Sequence, residues 1–192
     1  MKDLALTAKG GSFLPKNYKR PDNSKQFLKL EQGENRFRII SSALLGWVLF
    51  SSEKKPIRKP FDEEFTADEI AEIKPLTYDD GTVSTPRHFW VFFVWDYSKK
   101  SIKVLEVTQA SIMKQMEKLF QDEDYGSNPS TYDIVIDREG TGKNDTTYTL
   151  RPKPPKPLAK DIVKIIEANE DKAELSAVLN GKYPFENYTF EN

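Results

Sequence analysis

The sequence predicts a mainly β fold with accessory helices, and three observations support this. Apolar and polar residues alternate in several short runs, which is the period of a strand with one buried face. Clusters of turn-forming residues separate these runs. Two amphipathic segments, 109–121 and the segment that begins at about 158, have helical spacing. With 192 residues, 38% of them hydrophobic, the chain can bury one core and carry additional arms or insertions.

The first predicted strand is long and bends in the middle. Its first part, 33–40, alternates so that Arg36 and Arg38 lie on the exposed face. Two residues on the same face of a strand are about 7 Å apart, near the spacing needed to contact successive phosphates. Its second part, 44–50, contains Gly46, where a strand can bend or bulge. A long bent strand is typical of small curled barrels.

A long insertion, 51–86, follows the first strand. It begins with basic residues and prolines and continues with acidic residues. Within it, Thr66 and Glu69 form a capping-box pattern that predicts a short helix over 67–73. A connection of this length with its own helix is usually functional or mobile. We interpret it as a flap whose basic half contacts a ligand and whose acidic half competes for the same surface.

The next strand, 87–97, is apolar on both faces, whereas an ordinary half-exposed strand has one polar face. Three explanations of the second apolar face are open. It is covered by a helix or arm, it forms a protein interface, or it is a platform on which unpaired bases stack. The face with Trp90 and Phe92 is the better candidate for an open surface, because it also carries the water-tolerant His88 and Asp96. The opposite choice, with the odd-numbered aromatic residues outside, stays open.

The order of the strands and helices that follow the 87–97 strand indicates a known type of fold. A return strand at 102–108, the helix at 109–121 and two strands joined by a tip at 139–145 follow one another. This order predicts an OB-fold, a five-stranded Greek-key barrel with a helix between strands 3 and 4, and here also a C-terminal helix. The sequence predicts three segments along the chain. They are a basic arm at 1–26, an OB-fold nucleic-acid-binding domain at 27–157 that contains the 51–86 insertion, and a C-terminal helical segment and tail at 158–192.

Composition excludes several classes of function. The chain has no cysteine and one histidine, so it lacks thiolate ligands, a thiol nucleophile and the usual zinc-binding sets. The segment 140–143 has half of a phosphate-binding P-loop, but it joins two strands instead of a strand and a helix. We therefore predict no enzymatic activity, no metal and no cofactor. No apolar run is long enough to span a membrane and no signal peptide is evident, so we expect a soluble, intracellular protein.

The near-zero net charge hides an asymmetry. Residues 1–60 carry 13 Lys and Arg against 5 Asp and Glu, a net charge of +8, whereas the remaining 132 residues carry 16 against 25, a net charge of −9. Such segregation favours a basic binding surface with acidic segments elsewhere.

Several sequence blocks resemble a family of bacteriophage single-stranded DNA-binding proteins. The blocks are EQGENRFRI at 31–39, GW at 46–47, RHFW at 87–90, VWDY at 94–97 and LEVTQ at 105–109. The resemblance implies an OB-fold, sequence-independent coating of single-stranded DNA, and a role in phage replication or recombination in the cytoplasm of the infected bacterial host. It also implies that the C-terminal segment binds replication or recombination proteins.

Two hypotheses about function follow. In the first, the protein binds and protects single-stranded DNA through aromatic stacking and a basic groove. In the alternative, it is a protein-interaction OB module whose aromatic face is buried in a protein interface. The candidate nucleic-acid-binding residues are Arg36, Arg38, Trp47, Lys54, Lys55, Arg58, Lys59, Arg87, Trp90, Phe92, Lys99, Lys100, Lys143, Arg151 and Lys153.

Overall fold

A computed structural model describes residues 23–126, 128–142 and 145–185. Most of the predicted basic arm therefore lies outside the described residues, as do Lys143 and the tail residues 186–192. The described strands and helices are β1 (Gly33–Ile39), β2 (Leu44–Phe50), β3 (Pro56–Pro60), α1 (Ala67–Ile73), β4 (Arg87–Asp96), β5 (Ser101–Val107), α2 (Ala110–Phe120), β6 (Ile134–Glu139), β7 (Thr147–Pro152) and α3 (Lys160–Glu167). The prediction of a mainly β fold with accessory helices is confirmed.

The strands form one antiparallel sheet in the order β3-β2-β4-β1-β6-β7, with β5 on the other edge of β4. Both β1 and β2 pair with the same edge of β4, so together they are the predicted long strand. Ile39 lies opposite Val94, and Leu44 lies opposite Val91. Between these pairs the long strand has four residues, 40–43, whereas β4 has two, 92 and 93. This bulge at 40–43 is the bend of the strand, which the sequence had placed at Gly46 instead.

The predicted five-stranded barrel differs from the observed sheet in two respects. The sheet has seven strands in the described residues, because the bulge divides the first strand and the insertion contributes β3. The sheet is also not closed, since among the described residues no ladder joins β5 to β7. The OB-fold therefore stays a prediction, although α2 lies between β5 and β6 and α3 follows β7, in the predicted places.

The sheet is buried on both sides. On the face of β4 that carries Phe92, a first core includes Phe37 and Met116 of α2. On the opposite face, a second core contains Trp95 together with Phe185 of the C-terminal segment. Burying a large apolar side chain contributes about 1.5–3 kcal/mol, so both cores stabilise the sheet. The odd-numbered face of β4 is thus covered by the chain itself, which was the first of the three explanations for its double apolar pattern.

The C-terminal segment docks through specific contacts. Gln26 donates from its side-chain amide to the Phe185 carbonyl at 2.8 Å and accepts from the Phe185 N–H at 3.0 Å. Between α3 and Phe185 the chain forms short 3-10 helices, Glu170–Lys172 and Leu175–Asn180, where the sequence predicted a continuous helical segment. The second of these ends at Gly181, which has the left-handed φ of 67° expected at a helix end.

Candidate nucleic-acid interface

Four aromatic rings form a row on the even-numbered face of β4, near the start of that strand. The aromatic row consists of Phe61, Trp47, His88 and Trp90. Phe61 and Trp47 are stacked, with ring centroids 6.2 Å apart and planes 8° apart. His88 lies 5.2 Å from Phe61, 5.4 Å from Trp47 and 6.5 Å from Trp90. Three of the rings therefore contact one another, and Trp90 extends the row from His88. Because Trp47 is the cross-strand partner of His88, the row crosses the sheet from β3 to β4.

Hydrogen bonds fix the polar edges of these rings. Trp90 donates its indole N–H to Nε2 of His88 at 2.9 Å, and Nδ1 of His88 lies 2.9 Å from the Gly46 carbonyl oxygen. Since an indole N–H is only a donor, Nε2 accepts, and the histidine is the neutral tautomer with its proton on Nδ1. Trp47 donates its indole N–H to the Phe61 carbonyl at 3.1 Å. The polar edges are therefore occupied within the chain.

The ring faces differ in their exposure. Phe61 is 54% exposed, whereas Trp47, His88 and Trp90 are half-buried. Phe92, which follows Trp90 on the same face, is only 2% exposed and belongs to the first core. The expectation that Phe92 is exposed is wrong. Phe92 is buried in the first core, whereas Trp90, two residues earlier on the same face, is half-buried.

The row continues into a groove of about 570 Å³. Its walls are Trp90, the bulge at 40–43 and the loop at 128–130. Every described residue that lines the groove is uncharged. A phosphate would find no cation there, whereas a flat neutral group would find an indole wall.

Arg38 does not face a ligand. It is fully buried, and its Nε donates to Asp133 Oδ1 at 2.6 Å. Arg36 donates from its Nε to the other oxygen of Asp133 at 2.9 Å, and its guanidinium lies 4.3 Å from the centre of the Tyr97 ring. The expectation that Arg38 lies on an exposed face is wrong, because a buried carboxylate from the segment before β6 pairs with it. Arg36 is partly exposed and shares the same carboxylate with Arg38.

The electrostatics of this network indicate a structural role. Burial alone would raise the pKa of Asp133, but hydrogen bonds from Arg36, Tyr97 and Arg38 outweigh burial and hold that pKa below its usual value. Burial and the hydrogen bond to Asp133 raise the pKa of Tyr97 to about 12. The carboxylate therefore stays ionised and joins β1, the end of β4 and the start of β6.

The basic residues of the β2–β3 hairpin are mostly paired. Arg58 is a partner of Glu106 at 2.7 Å and lies on the opposite face from the aromatic row. Lys55 pairs with Glu53 at 2.7 Å in a solvent-exposed position. Lys54 is exposed and has a left-handed φ of 62°. The hairpin thus presents fewer unneutralised cations than its sequence suggests.

Lys59 is the hairpin cation that shares a face with the aromatic row. It lies opposite Trp47 in the β2–β3 register, and its ammonium group is 2.5 Å from Glu69 of α1. Hydrogen bonds from Lys59 and from the Thr66 backbone N–H lower the pKa of Glu69 to about 2. Helix α1 begins with the predicted capping box formed by Thr66 and Glu69. The acidic half of the flap therefore contacts a cation beside the row.

The other candidate cations lie away from the row. Lys99 and Lys100 are exposed in the turn after β4, at the opposite end of that strand from His88. Arg151 pairs with Glu34 at 2.7 Å and with Asp137 at 3.2 Å. Arg87 is exposed, but it alternates with His88 and so belongs to the other face of β4; Lys153 is half-buried at the end of β7.

Sequence reasoning missed Phe61 and His88 as members of the row. Phe61 directly follows β3, and the register that pairs Gly46 with Pro60 places it beside Leu45. Recognising 56–60 as a strand paired with 44–50 would have shown this position. Within the described residues, no group of acidic or histidine side chains is arranged to hold a metal ion. None of the helices in the described part of the chain is long and apolar enough to cross a membrane.

Comparison with known proteins gives one informative similarity. The chain is 30% identical over 142 residues to a protein of Escherichia phage T5 whose name is "Probable ssDNA-binding protein". The matched region is 66% of this chain and 54% of the phage T5 protein, so the chain spans about half the length of that relative. No family model matches the chain, and no solved structure matches it. The resemblance to phage single-stranded DNA-binding proteins is thereby supported in its general form.

Proposed function

We propose that this protein binds single-stranded DNA without sequence preference and protects it during phage replication or recombination in the infected bacterial cell. The observation that carries the proposal is the aromatic row, whose polar edges are bonded within the chain while ring surface remains open. The similarity to the phage T5 protein supports the same ligand. No catalytic step is part of the proposal.

Bases stack on the aromatic row in this proposal, and stacking is tolerant of sequence because every base has a flat π face. Each stacked base contributes about 1–3 kcal/mol. Phe61 and Trp47 provide one end of the row and Trp90 the other. Lys59 and Lys54 neutralise phosphates near β3, and Lys59 does so after release from Glu69.

The OB-fold is the finer structural part of the proposal. The long bent strand, the β4–β5 hairpin and the position of α2 support it, and OB-folds bind single strands across the second and third strands of the barrel. Those two strands correspond to β4 and β5, and two members of the aromatic row, His88 and Trp90, lie on β4. Binding of replication or recombination proteins is assigned to the C-terminal segment from α3 onward.

The alternative is a protein-interaction OB module, and exposed apolar side chains on β2, β3 and the flap favour it. Phe61 is 54% exposed, Ile57 38% and Leu45 36%. The odd-numbered face of β4 is already covered by the chain's own C-terminal segment. A protein partner would therefore have to bury the aromatic row.

Tryptophan fluorescence separates the two candidates. A Trp95→Phe variant keeps Trp47 and Trp90 as reporters, and oligo(dT) should quench its emission, with a midpoint that weakens as salt increases. A double variant, Trp47→Phe with Trp90→Phe, keeps only the buried Trp95 and should show little quenching. The logarithm of the affinity should fall with log salt by about 0.7 per neutralised phosphate. Absence of quenching, together with tight self-association, would favour the protein-interaction module.

A further inference from the structure

The groove beside Trp90 is built by non-local features of the sheet. The bulge at 40–43 displaces the chain from β4, and it is held by two hydrogen bonds to Phe93. Ile40 donates its N–H to the Phe93 carbonyl at 3.0 Å, and Phe93 donates its N–H to the Ser41 hydroxyl at 2.9 Å. The opposite wall is the short 3-10 helix Pro129–Thr131 with its cap Asn128. The groove is therefore a formed feature with fixed walls.

Its polar groups suit a neutral ligand with acceptor atoms. Asn128 Oδ1 accepts from the Ser130 N–H at 3.2 Å and from the Ser130 hydroxyl at 2.6 Å. These bonds use the amide oxygen, so Nδ2 is the group of this groove-lining side chain that remains to donate. The exposed hydroxyl of Ser42 adds a group that donates or accepts.

We propose that this groove binds one unpaired nucleobase, splayed out from its neighbours and stacked against Trp90. The proposal rests on the proposed single-stranded DNA binding and names a subsite for it. Trp90 belongs to both the aromatic row and the groove, so a strand stacked along the row continues into it. The volume of about 570 Å³ is within the usual range of small-molecule sites. Splayed bases that stack on aromatic side chains and bond through their edges are a common mode of single-strand recognition.

The first test fills the groove. Ala43→Phe places a ring in it from an exposed position, and Ala159→Phe is the matched control, since Ala159 is also exposed but lies before α3. Binding is measured to oligo(dT) molecules in which one nucleotide at a time is abasic. For the unmodified protein, one abasic position should weaken binding by roughly 5-fold or more. Ala43→Phe should bind the intact oligonucleotide more weakly than the unmodified protein does, by roughly 5-fold or more. The abasic position that weakens binding to the unmodified protein should have no further effect on Ala43→Phe. Ala159→Phe should behave like the unmodified protein.

A second variant tests the donor without filling the groove. Asn128→Asp keeps the oxygen that accepts from Ser130 but replaces the Nδ2 donor with an acceptor. A loss of affinity that persists at high salt reports the missing hydrogen bond, since a purely electrostatic effect is screened. Circular dichroism and thermal unfolding establish that each variant is folded before its binding is compared.

The outcomes separate the groove from the proposed function. If Ala43→Phe keeps the abasic profile and affinity of the unmodified protein while Trp47→Ala weakens binding, the groove proposal is overturned and DNA binding stands. If the unmodified protein does not bind oligo(dT), both proposals fail. A uniform loss in Ala43→Phe that leaves the sensitive position unchanged also contradicts a base in the groove.

Discussion

Replacing Asp133 with asparagine should strongly destabilise the protein. Its carboxylate is fully buried and accepts hydrogen bonds from Arg36, Arg38 and the Tyr97 hydroxyl. An asparagine offers one oxygen in place of two and turns an N–H group toward existing donors. Two guanidinium groups would then lack their counter-charge. Removing one partner of a buried ion pair costs about 3–5 kcal/mol.

The two arginines do not contribute equally to this cost. The Arg36 side chain is 35% exposed, so water can solvate it after the substitution, whereas the Arg38 side chain is 1% exposed and stays desolvated. We therefore expect a loss near the lower end, about 3 kcal/mol, most of it from Arg38. Total stabilities are about 5–15 kcal/mol, so this is a large share. Urea unfolding followed by circular dichroism measures the change.

Asp137→Asn is the matched control for this experiment. Asp137 lies on β6 and contacts Arg151 at 3.2 Å, but the two side chains are 32% and 42% exposed. Exposed pairs contribute about 1 kcal/mol or less, so the control should lose little stability. Equal losses for the two variants, or a loss below about 1 kcal/mol for Asp133→Asn, would refute the structural role of the network.

The same network makes stability depend on pH. The pKa of Asp133 is lower in the folded protein than in the unfolded chain, where an aspartate has a pKa of about 3.9. The unfolded chain therefore binds this proton first as pH falls. The stabilisation by Asp133 is complete above the unfolded pKa and is lost as pH falls through the folded pKa. Below about pH 4, the unmodified protein should lose stability faster with falling pH than Asp133→Asn does.

Two further substitutions test the flap and the sheet. Glu69→Gln keeps the capping box but removes the anion from Lys59. Oligo(dT) should therefore bind it more tightly at low salt, because Lys59 no longer has to leave Glu69 before it contacts a phosphate. Glu72→Gln is the charge-matched control, and equal tightening in both variants would contradict release of Lys59. Gly46→Ala would place Cβ 2.3 Å from the Lys59 carbonyl oxygen and 2.7 Å from the Phe89 ring, so a loss of about 1–3 kcal/mol is expected, and an unchanged melting temperature would contradict it.

Locally encoded features were predictable from the sequence. Helix α1 begins and ends where the capping box and the helical spacing placed it, at 67–73. The amphipathic pattern at 109–121 likewise predicted α2, which buries Ile112, Met116 and Leu119. In each case the signal lies within a few residues of the structure it determines.

Features that depend on distant contacts were not predictable. Strand β4 is apolar on both faces, and the C-terminal segment covers its odd-numbered face. This segment docks through a contact between Gln26 and Phe185, which are 159 positions apart in the sequence. Arg38 alternated with inward-facing residues as an exposed residue would, but its partner Asp133 is 95 positions away. No local spacing reveals such a partner. The sequence alone therefore could not show which face of the strand is exposed or whether its arginines are paired.

Charge pairing changes what the basic half of the chain can do. The first 60 residues carry a net charge of +8, yet Arg36 and Arg38 share Asp133, Arg58 pairs with Glu106 and Lys59 with Glu69. Counterion release needs cations that become available to phosphates, and at least five of the eight Lys and Arg residues that the structure describes at 23–60 contact carboxylates. Stacking is insensitive to salt by comparison, because it does not displace bound ions. The arrangement therefore predicts affinity that comes mainly from the aromatic row and a salt dependence shallower than the sequence charge alone would suggest.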